Sequence, residues 1–417
     1  MALQEIPYSI GPEPTGLIAA EVPGDLYNQP TAELYCRMSI PDPNAFPWSS
    51  WRKWNNAPSY LKEQLATRYH SLQGLLSLRQ EIVRYLRLSR AINTQPENII
   101  ITNGTQEGLS LLTQLFVLNQ ARINLSRCHI VTESPCYSGA WHSFNYYGAQ
   151  VTAVDVDEQG ICVSRMPECS TQLCYVTPSH QYPLGSKLSL SRRKKLLLWA
   201  QRVGAYIIED DYDAVFSWEE KPLSALKSMD SCDRVIYAGT FSKTLGPGIR
   251  LGYLVCPDSI LESVQSMKAL NNSGSNWLFQ QFLAEFMHNQ VFYTHLSKLS
   301  CVYEERQRLL HEGLLRLFPE GKIWGHAAGL HLTLITPLSV EFIQTLRQRC
   351  LRAGVRFDTL NEMANGSECL WQQMNNQSVI LFGFGSLNLQ QLQKVLTVIE
   401  QEMNSLRAEG VSINAVA

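Results

Sequence analysis

The period of the hydrophobic positions changes along this chain, and each change predicts an element. In "LLSLRQEIVRYLRLSR", residues 75–90, apolar side chains recur at i, i+3 and i+4, the signature of an amphipathic helix. "SYLKEQLATRYH", residues 59–70, predicts another. "PENIIITNGTQEGLSLLTQLFV" then predicts a strand over Ile99–Ile101, a glycine turn, and a helix starting near Thr105. Beyond it the two periods alternate. "CHIVTESP", "QVTAVDVD", "LCYVTPSH", "AYIIEDDYDAVF" and "RVIYAGTFSK" read as strands, while "YSGAWHSFNYYG" and "LSRRKKLLLWAQRVG" read as helices. Several of these strands lack polar alternation, so both their faces are buried. That predicts an α/β fold whose mainly parallel central sheet carries helices on both faces. From about residue 291 a long helix leads into short strands, "GLHLTLI", "GVRFDTL" and "SVILFGFG", and a last helix, which predicts a smaller α+β C-terminal domain. Residues 1–50 are broken by "GPEPTG", "VPGD" and "IPDPNAFPW", which predicts an irregular arm with little helix. The expected division is therefore an arm over 1–50, a large domain over 51–290 and a small domain over 291–417.

Composition narrows the function classes. A chain of 417 residues, 45% hydrophobic and 17% charged with a formal net charge of −2, can bury a large core in two lobes. It has no basic footprint for nucleic acid. No apolar run approaches the roughly 20 residues that span a bilayer, and the N-terminus lacks the pattern of a secretory signal. The eleven cysteines form no C-x-x-C pair and have no histidines at zinc-site spacing, so they read as free thiols of a reducing cytoplasm and no metal is expected.

The candidate chemistry lies at strand ends, where open parallel sheets bind ligands. Gly104, Thr105 and Gln106 stand at a helix N-terminus, which favours an anion such as phosphate; alone, this is also how many ordinary helices begin. Tyr137 follows a strand end and could cover a flat ring or pack in the core. In "IIEDDYDAVF" strand alternation puts Asp210 and Tyr212 on one face and Asp211 on the other. That run could pair with a cation, bind a metal or be a solvated acidic turn. "VIYAGTFSKTLGPGIRLGYLV", residues 235–255, holds Ser242, Lys243 and Arg250 in a glycine-rich loop between two strands. A lysine there is costly unless it is paired, neutral or covalently engaged. "GTFSKT" is not a phosphate-binding P-loop, since no glycine precedes the lysine. One ligand would use all these groups: pyridoxal 5′-phosphate needs an anion site, a carboxylate at its pyridine nitrogen, a donor at its O3′, a stacking ring and a lysine for its aldehyde.

These motifs carry a resemblance. "YVTPSHQYPLG", "IIEDDYDAVF" and "YAGTFSKTLGPGIRLGYLV" resemble, in order and nearly residue for residue, those of fold-type I aminotransferases of class I/II, most closely the aminotransferase-like domain of the MocR/GabR family. The resemblance covers residues from about 40 to 400. It implies that Lys243 is the Schiff-base lysine, Asp210 the partner of the pyridine nitrogen, Tyr212 the O3′ donor and Tyr137 the stacking ring. It implies phosphate contacts from Gly104, Thr105, Gln106, Thr240, Ser242 and Arg250. Tyr69 resembles the tyrosine that reaches the phosphate of a neighbouring subunit, which implies a homodimer with sites at its interface.

There are departures. Where ordinary members place an asparagine at O3′, this chain has Tyr182, as in the MocR group, so that contact falls to Tyr212. The strand "VILFGFG" has no arginine for the substrate carboxylate; Arg356 in "GVRFDTL" is the candidate, its alternative being a surface arginine. "FPWSSW" resembles the start of the aminotransferase-like domain, and the arm before it is too short for a winged helix-turn-helix. The expected function is thus a cytoplasmic pyridoxal-phosphate enzyme acting on an amino acid, an aminotransferase. The alternatives are a biosynthetic elimination, replacement or cyclisation enzyme and a non-catalytic sensor.

Overall fold

A computed structural model describes residues 32–56, 66–124, 127–213, 215–218, 223–363 and 377–410. The helix expected over 59–70 falls mostly outside these residues, as does the end of the tail. The arm contributes β1 (Leu34–Tyr35) and runs into a helix over Trp48–Asn56. The central sheet then takes eight strands: β2 (Ile99–Thr102), β3 (His129–Ser134), β4 (Gln150–Asp157), β5 (Gly160–Ile161), β6 (Leu173–Val176), β7 (Tyr206–Asp211), β8 (Val235–Thr240) and β9 (Gly252–Val255). Their spatial order is β2-β9-β8-β7-β6-β3-β4-β5. Neighbours from β8 through β7, β6 and β3 to β4 are parallel, whereas β9 is antiparallel to both β8 and β2.

The unalternating strands are buried as their composition requires. Ile99 and Ile101 pack with Leu78, Ile82, Tyr253 and Phe282 on one face of the sheet. Ile100, between them, packs with Leu109, Leu112 and Leu254 on the other. Each such aliphatic side chain stabilises the fold by about 1.5–3 kcal/mol when fully buried.

Two helices in the central region, Asp258–Asn272 and Trp277–His288, have sequence patterns that hide them. In the first, the inward stripe Ile260, Val264, Lys268 is interrupted by a lysine that is fully buried because its Nζ pairs with Glu107 at 3.1 Å. In the second, Gln280 and Gln281 are buried together with Phe282 and Leu283, so no polar face remains to mark the period.

The remaining strands are β10 (Lys322–Trp324), β11 (His331–Thr336), β12 (Val355–Arg356), β13 (Asp358–Thr359) and β14 (Ser378–Gly383). An antiparallel sheet runs β10-β11-β14-β13, and β12 pairs in parallel with β1 of the arm. "GVRFDTL" is therefore split between two short strands around the buried Phe357. The helices Val291–Leu317, Val340–Arg352 and Leu389–Ala408 cover this sheet. The last opens on a capping box between Asn388 and Gln391, which satisfies two backbone N–H groups and is worth about 1 kcal/mol. Among the described residues no helix is long and apolar enough to cross a membrane.

One buried ion pair ties the first packed helix to the sheet. Arg90, at the end of the helix Leu76–Arg90, places Nε 2.7 Å from Asp211 Oδ2, and Tyr237 donates to the same oxygen at 2.5 Å. Removing the cation strands a buried carboxylate, so Arg90→Ala is expected to lower stability by about 3–5 kcal/mol. Urea unfolding checks this, and a loss below about 1 kcal/mol would contradict it.

Candidate functional site

The site is built at the carboxyl end of β7, where consecutive polar residues diverge because strand side chains alternate. Glu209 and Asp211 point one way. Glu209 accepts from the backbone N–H groups of Leu226 and Lys227 at 2.7 Å each, and Asp211 meets Arg90. Asp210 points the other way, where its Oδ2 accepts from the Tyr175 hydroxyl at 2.8 Å. Its Oδ1 is buried and has no hydrogen-bond partner. Burial raises the Asp210 carboxyl to about 7 against the lowering effects of Tyr175 and Lys243. Such an orphaned acceptor is expensive, and a protonated ring nitrogen is the kind of partner that satisfies it. The even alternation expected of Asp210 and Asp211 is what the structure has.

Lys243 sits in the first turn after β8, in the short helix Ser242–Leu245. Burial lowers its pKa from the ordinary lysine value, opposed by the charges of Asp213 and Asp210. Its Nζ donates to the Ser39 carbonyl at 2.7 Å and lies 5.9 Å from the centre of the Tyr212 ring. Ser39 belongs to the arm, and its approach depends on "GFG" at the end of β14. A Cβ on Gly383 would lie 1.9 Å from the Arg37 carbonyl oxygen, and one on Gly385 would lie 2.3 Å from that of Ile40. The arm is clamped further by the Arg306–Asp42 ion pair and by the Tyr303 hydroxyl beside the Asp42 N–H.

The anion side is assembled around the start of the helix Thr105–Asn124. Arg250 follows a 3₁₀ turn in the left-handed backbone region, φ 50°, and its Nη2 donates to the Asn103 carbonyl at 2.8 Å. A Cβ on Gly104 would lie 2.9 Å from that nitrogen, so only glycine lets the guanidinium stand against the helix start. Ser242 N–H donates to Thr240 Oγ1 at 3.1 Å, and the Thr240 hydroxyl donates to Ser242 Oγ at 3.0 Å. Gln106 donates to Ser143 Oγ at 2.8 Å, while its Oε1 is buried without a partner. Free helix N–H groups, two hydroxyls and a guanidinium fit a phosphate.

Three tyrosines form an aromatic wall: Tyr182 stands edge-on to Tyr137, with centroids 5.7 Å apart, and to Tyr212, at 5.6 Å. Arg356 is a half-buried group, not the surface arginine that was the alternative expectation. Its guanidinium covers the Tyr35 ring at 4.4 Å and its Nε lies 3.5 Å from Asp358, which also accepts from the Tyr35 hydroxyl. Tyr69 is 97% exposed and is not brought to the other residues within the chain. The sequence motifs did not single out Ser39, Tyr175, Glu133, His180 or Asp213. His180, Asp213 and His331 are buried with ligand atoms within 4.8 Å of one another. His180 Nδ1 meets Asp213 Oδ2 at 3.0 Å and His331 Nε2 meets the Pro183 carbonyl at 3.0 Å, while His180 Nε2, His331 Nδ1 and Asp213 Oδ1 are buried without a hydrogen-bond partner.

Comparisons with known proteins identify the family and the fold. Residues 40–363 match the family described as aminotransferase class I and II. The chain is 34% identical over 269 residues to the probable rhizopine catabolism regulatory protein MocR of Rhizobium meliloti, covering 64% of this chain and 53% of that one. It is 30% identical to the pyridoxine biosynthesis transcriptional regulator PdxR of Corynebacterium glutamicum, covering 88% and 75%. The chain spans 53–63% of the length of three such regulators. An archaeal alanine:glyoxylate aminotransferase shares the fold, with a TM-score of 0.77 at 23% identity over 89% of this chain and 91% of that one.

Proposed function

The chain belongs to the class I and II aminotransferase family, whose cofactor is pyridoxal 5′-phosphate, and from that premise we propose that it is an enzyme that transaminates an amino acid. The reading is carried by one pairing: a desolvated lysine, Lys243, opposite a buried carboxylate, Asp210, whose second oxygen has no partner. The cofactor, when bound, supplies an aldehyde for the lysine and a ring that withdraws electrons from the substrate. Asp210 would hold a proton on the ring nitrogen and so keep that ring electron-deficient. Lys243 Nζ, uncharged more readily because it is buried, would take up the proton from the substrate Cα. Tyr212 would donate to the phenolic oxygen of the cofactor and Tyr137 would cover its ring. Arg250, Thr240, Ser242 and the amides of Gly104, Thr105 and Gln106 would hold the phosphate. Arg356 takes the substrate carboxylate by exchanging its contact with Asp358.

Tyr69 is almost fully exposed, which supports a homodimer in which it reaches the phosphate of the second copy. Similarity to MocR-type regulators favours a second reading, in which the same pocket senses an amino acid without turnover. One experiment separates them. The purified protein is loaded with cofactor, followed by absorbance while a panel of amino acids is added, and its products are identified by mass spectrometry. Accumulation of a keto acid with conversion to the amine form of the cofactor is the expected result. An eliminated or cyclised product would replace transamination with the related lyase chemistry. A spectral change without any product would favour the sensor.

A further inference from the structure

The grouping of His180, Asp213 and Tyr212 is not explained by the motifs that hold the cofactor. His180 Nδ1 lies 3.0 Å from Asp213 Oδ2 and 3.1 Å from the Tyr212 hydroxyl oxygen. A ring nitrogen carries at most one proton, and an ionised carboxylate only accepts. Asp213 therefore keeps that proton on Nδ1, aimed between itself and Tyr212. A hydroxyl oxygen facing an N–H accepts from it, so the hydrogen of Tyr212 must point elsewhere, while Lys243 Nζ stands over the Tyr212 ring 5.9 Å from its centre. With the proton on Nε2 instead, Tyr212 would donate to a bare Nδ1 and turn its hydrogen away from the pocket.

We propose that His180 and Asp213 are positioning residues that direct the Tyr212 hydroxyl hydrogen at the phenolic oxygen of the cofactor. The inference rests on the cofactor reading above. Tyr182 stands where ordinary members have an amide donor, so the phenolic oxygen depends on the one hydroxyl that this pair controls. The surroundings hold the arrangement fixed. His331 is neutral, pushed down to about 3 chiefly by burial, and spends its Nε2 proton on the Pro183 carbonyl with its ring 4.6 Å from that of His180. A Cβ on Gly329 would come within 2.3 Å of the His180 ring and 2.4 Å of Asp213 Oδ2. The ionisable groups facing Tyr212 are Asp213, Tyr182, Asp210 and Glu133, and Lys243 lies over its ring.

A hydrogen bond donated to the phenolate stabilises it, which lowers the pH at which the lysine-bound cofactor titrates. The test is that titration, followed by absorbance on the loaded protein. Tyr212→Phe raises the midpoint. His180→Phe raises it by about half a pH unit or more, a roughly threefold change in proton affinity. His180→Asn, which keeps a donor near the Nδ1 position, restores most of the wild-type value. In a Tyr212→Phe background His180→Phe changes nothing further, because the pair acts only through that hydroxyl. If His180→Phe does not load, Asp213→Asn takes its place and must raise the midpoint more with Tyr212 present than without it. An unchanged midpoint, or equal shifts in both backgrounds, would overturn the inference while leaving the cofactor reading intact. A wild type with no cofactor band would overturn both.

Discussion

Lys243→Ala is expected to remove the long-wavelength absorbance of the lysine-bound cofactor and to lower amino-acid turnover by about 10⁴-fold or more, since the nucleophile and the proton carrier are lost together. The phosphate contacts of Arg250, Ser242 and the helix start are untouched, so the cofactor should still bind without a covalent link. Lys243→Arg separates charge from chemistry. A guanidinium keeps the cation and most of the reach but has no accessible neutral form, so this variant should be as inactive as the alanine one. A purified Lys243→Ala protein that kept the wild-type spectrum would remove the central assignment. The effect is large because burial lowers the pKa of this lysine and makes the neutral amine easier to reach.

Asp210→Asn is expected to lower turnover by about 10²–10⁴-fold with the lysine-bound absorbance retained, because an amide cannot hold the proton on the ring nitrogen. The same residue gives a pH signature in the cofactor-free protein. Burial lifts the Asp210 carboxyl to about 7, above the roughly 3.9 of an unfolded chain. The unfolded chain thus releases this proton first as pH rises. The contribution of Asp210 to stability is therefore present below about pH 4 and is lost as the pH climbs through 7. Compared with Asp210→Asn, the cofactor-free wild type should be less stable at pH 8 than at pH 5. Urea midpoints at the two values measure this, and a pH-independent difference would contradict it. Saturating cofactor should flatten the wild-type slope, since a protonated ring nitrogen favours the carboxylate.

These two residues were legible from the chain because their chemistry is local. Lys243 follows a strand within a few residues, and Asp210 ends one, so strand period and loop composition place each. The alternation of strands and helices was likewise visible, since a parallel sheet covered on both faces needs runs such as Ile99–Ile101 with no polar break. The two helices after β9 were not visible. A buried Lys268 interrupts one apolar stripe and buried glutamines blur the other, and each is tolerated only because a distant partner such as Glu107 satisfies it.

The remainder of the site belongs to contacts between residues far apart in the chain. Ser39 reaches Lys243 across 204 positions because two glycines, Gly383 at the end of β14 and Gly385 beyond it, let the arm pass close to that strand. His180 reaches Asp213 and Tyr212 only after β6 and β7 are laid side by side, and Arg356 is tied to Tyr35 and Asp358 by the pairing of β12 with β1. By itself the sequence determined most of the elements and the family, and it marked Lys243 and Asp210 as candidates for the covalent and electronic chemistry, since hydrophobic period and motif spacing act over a few residues. Tertiary structure alone decided what orients them, because a hydrogen bond's direction depends on where separate segments meet in space.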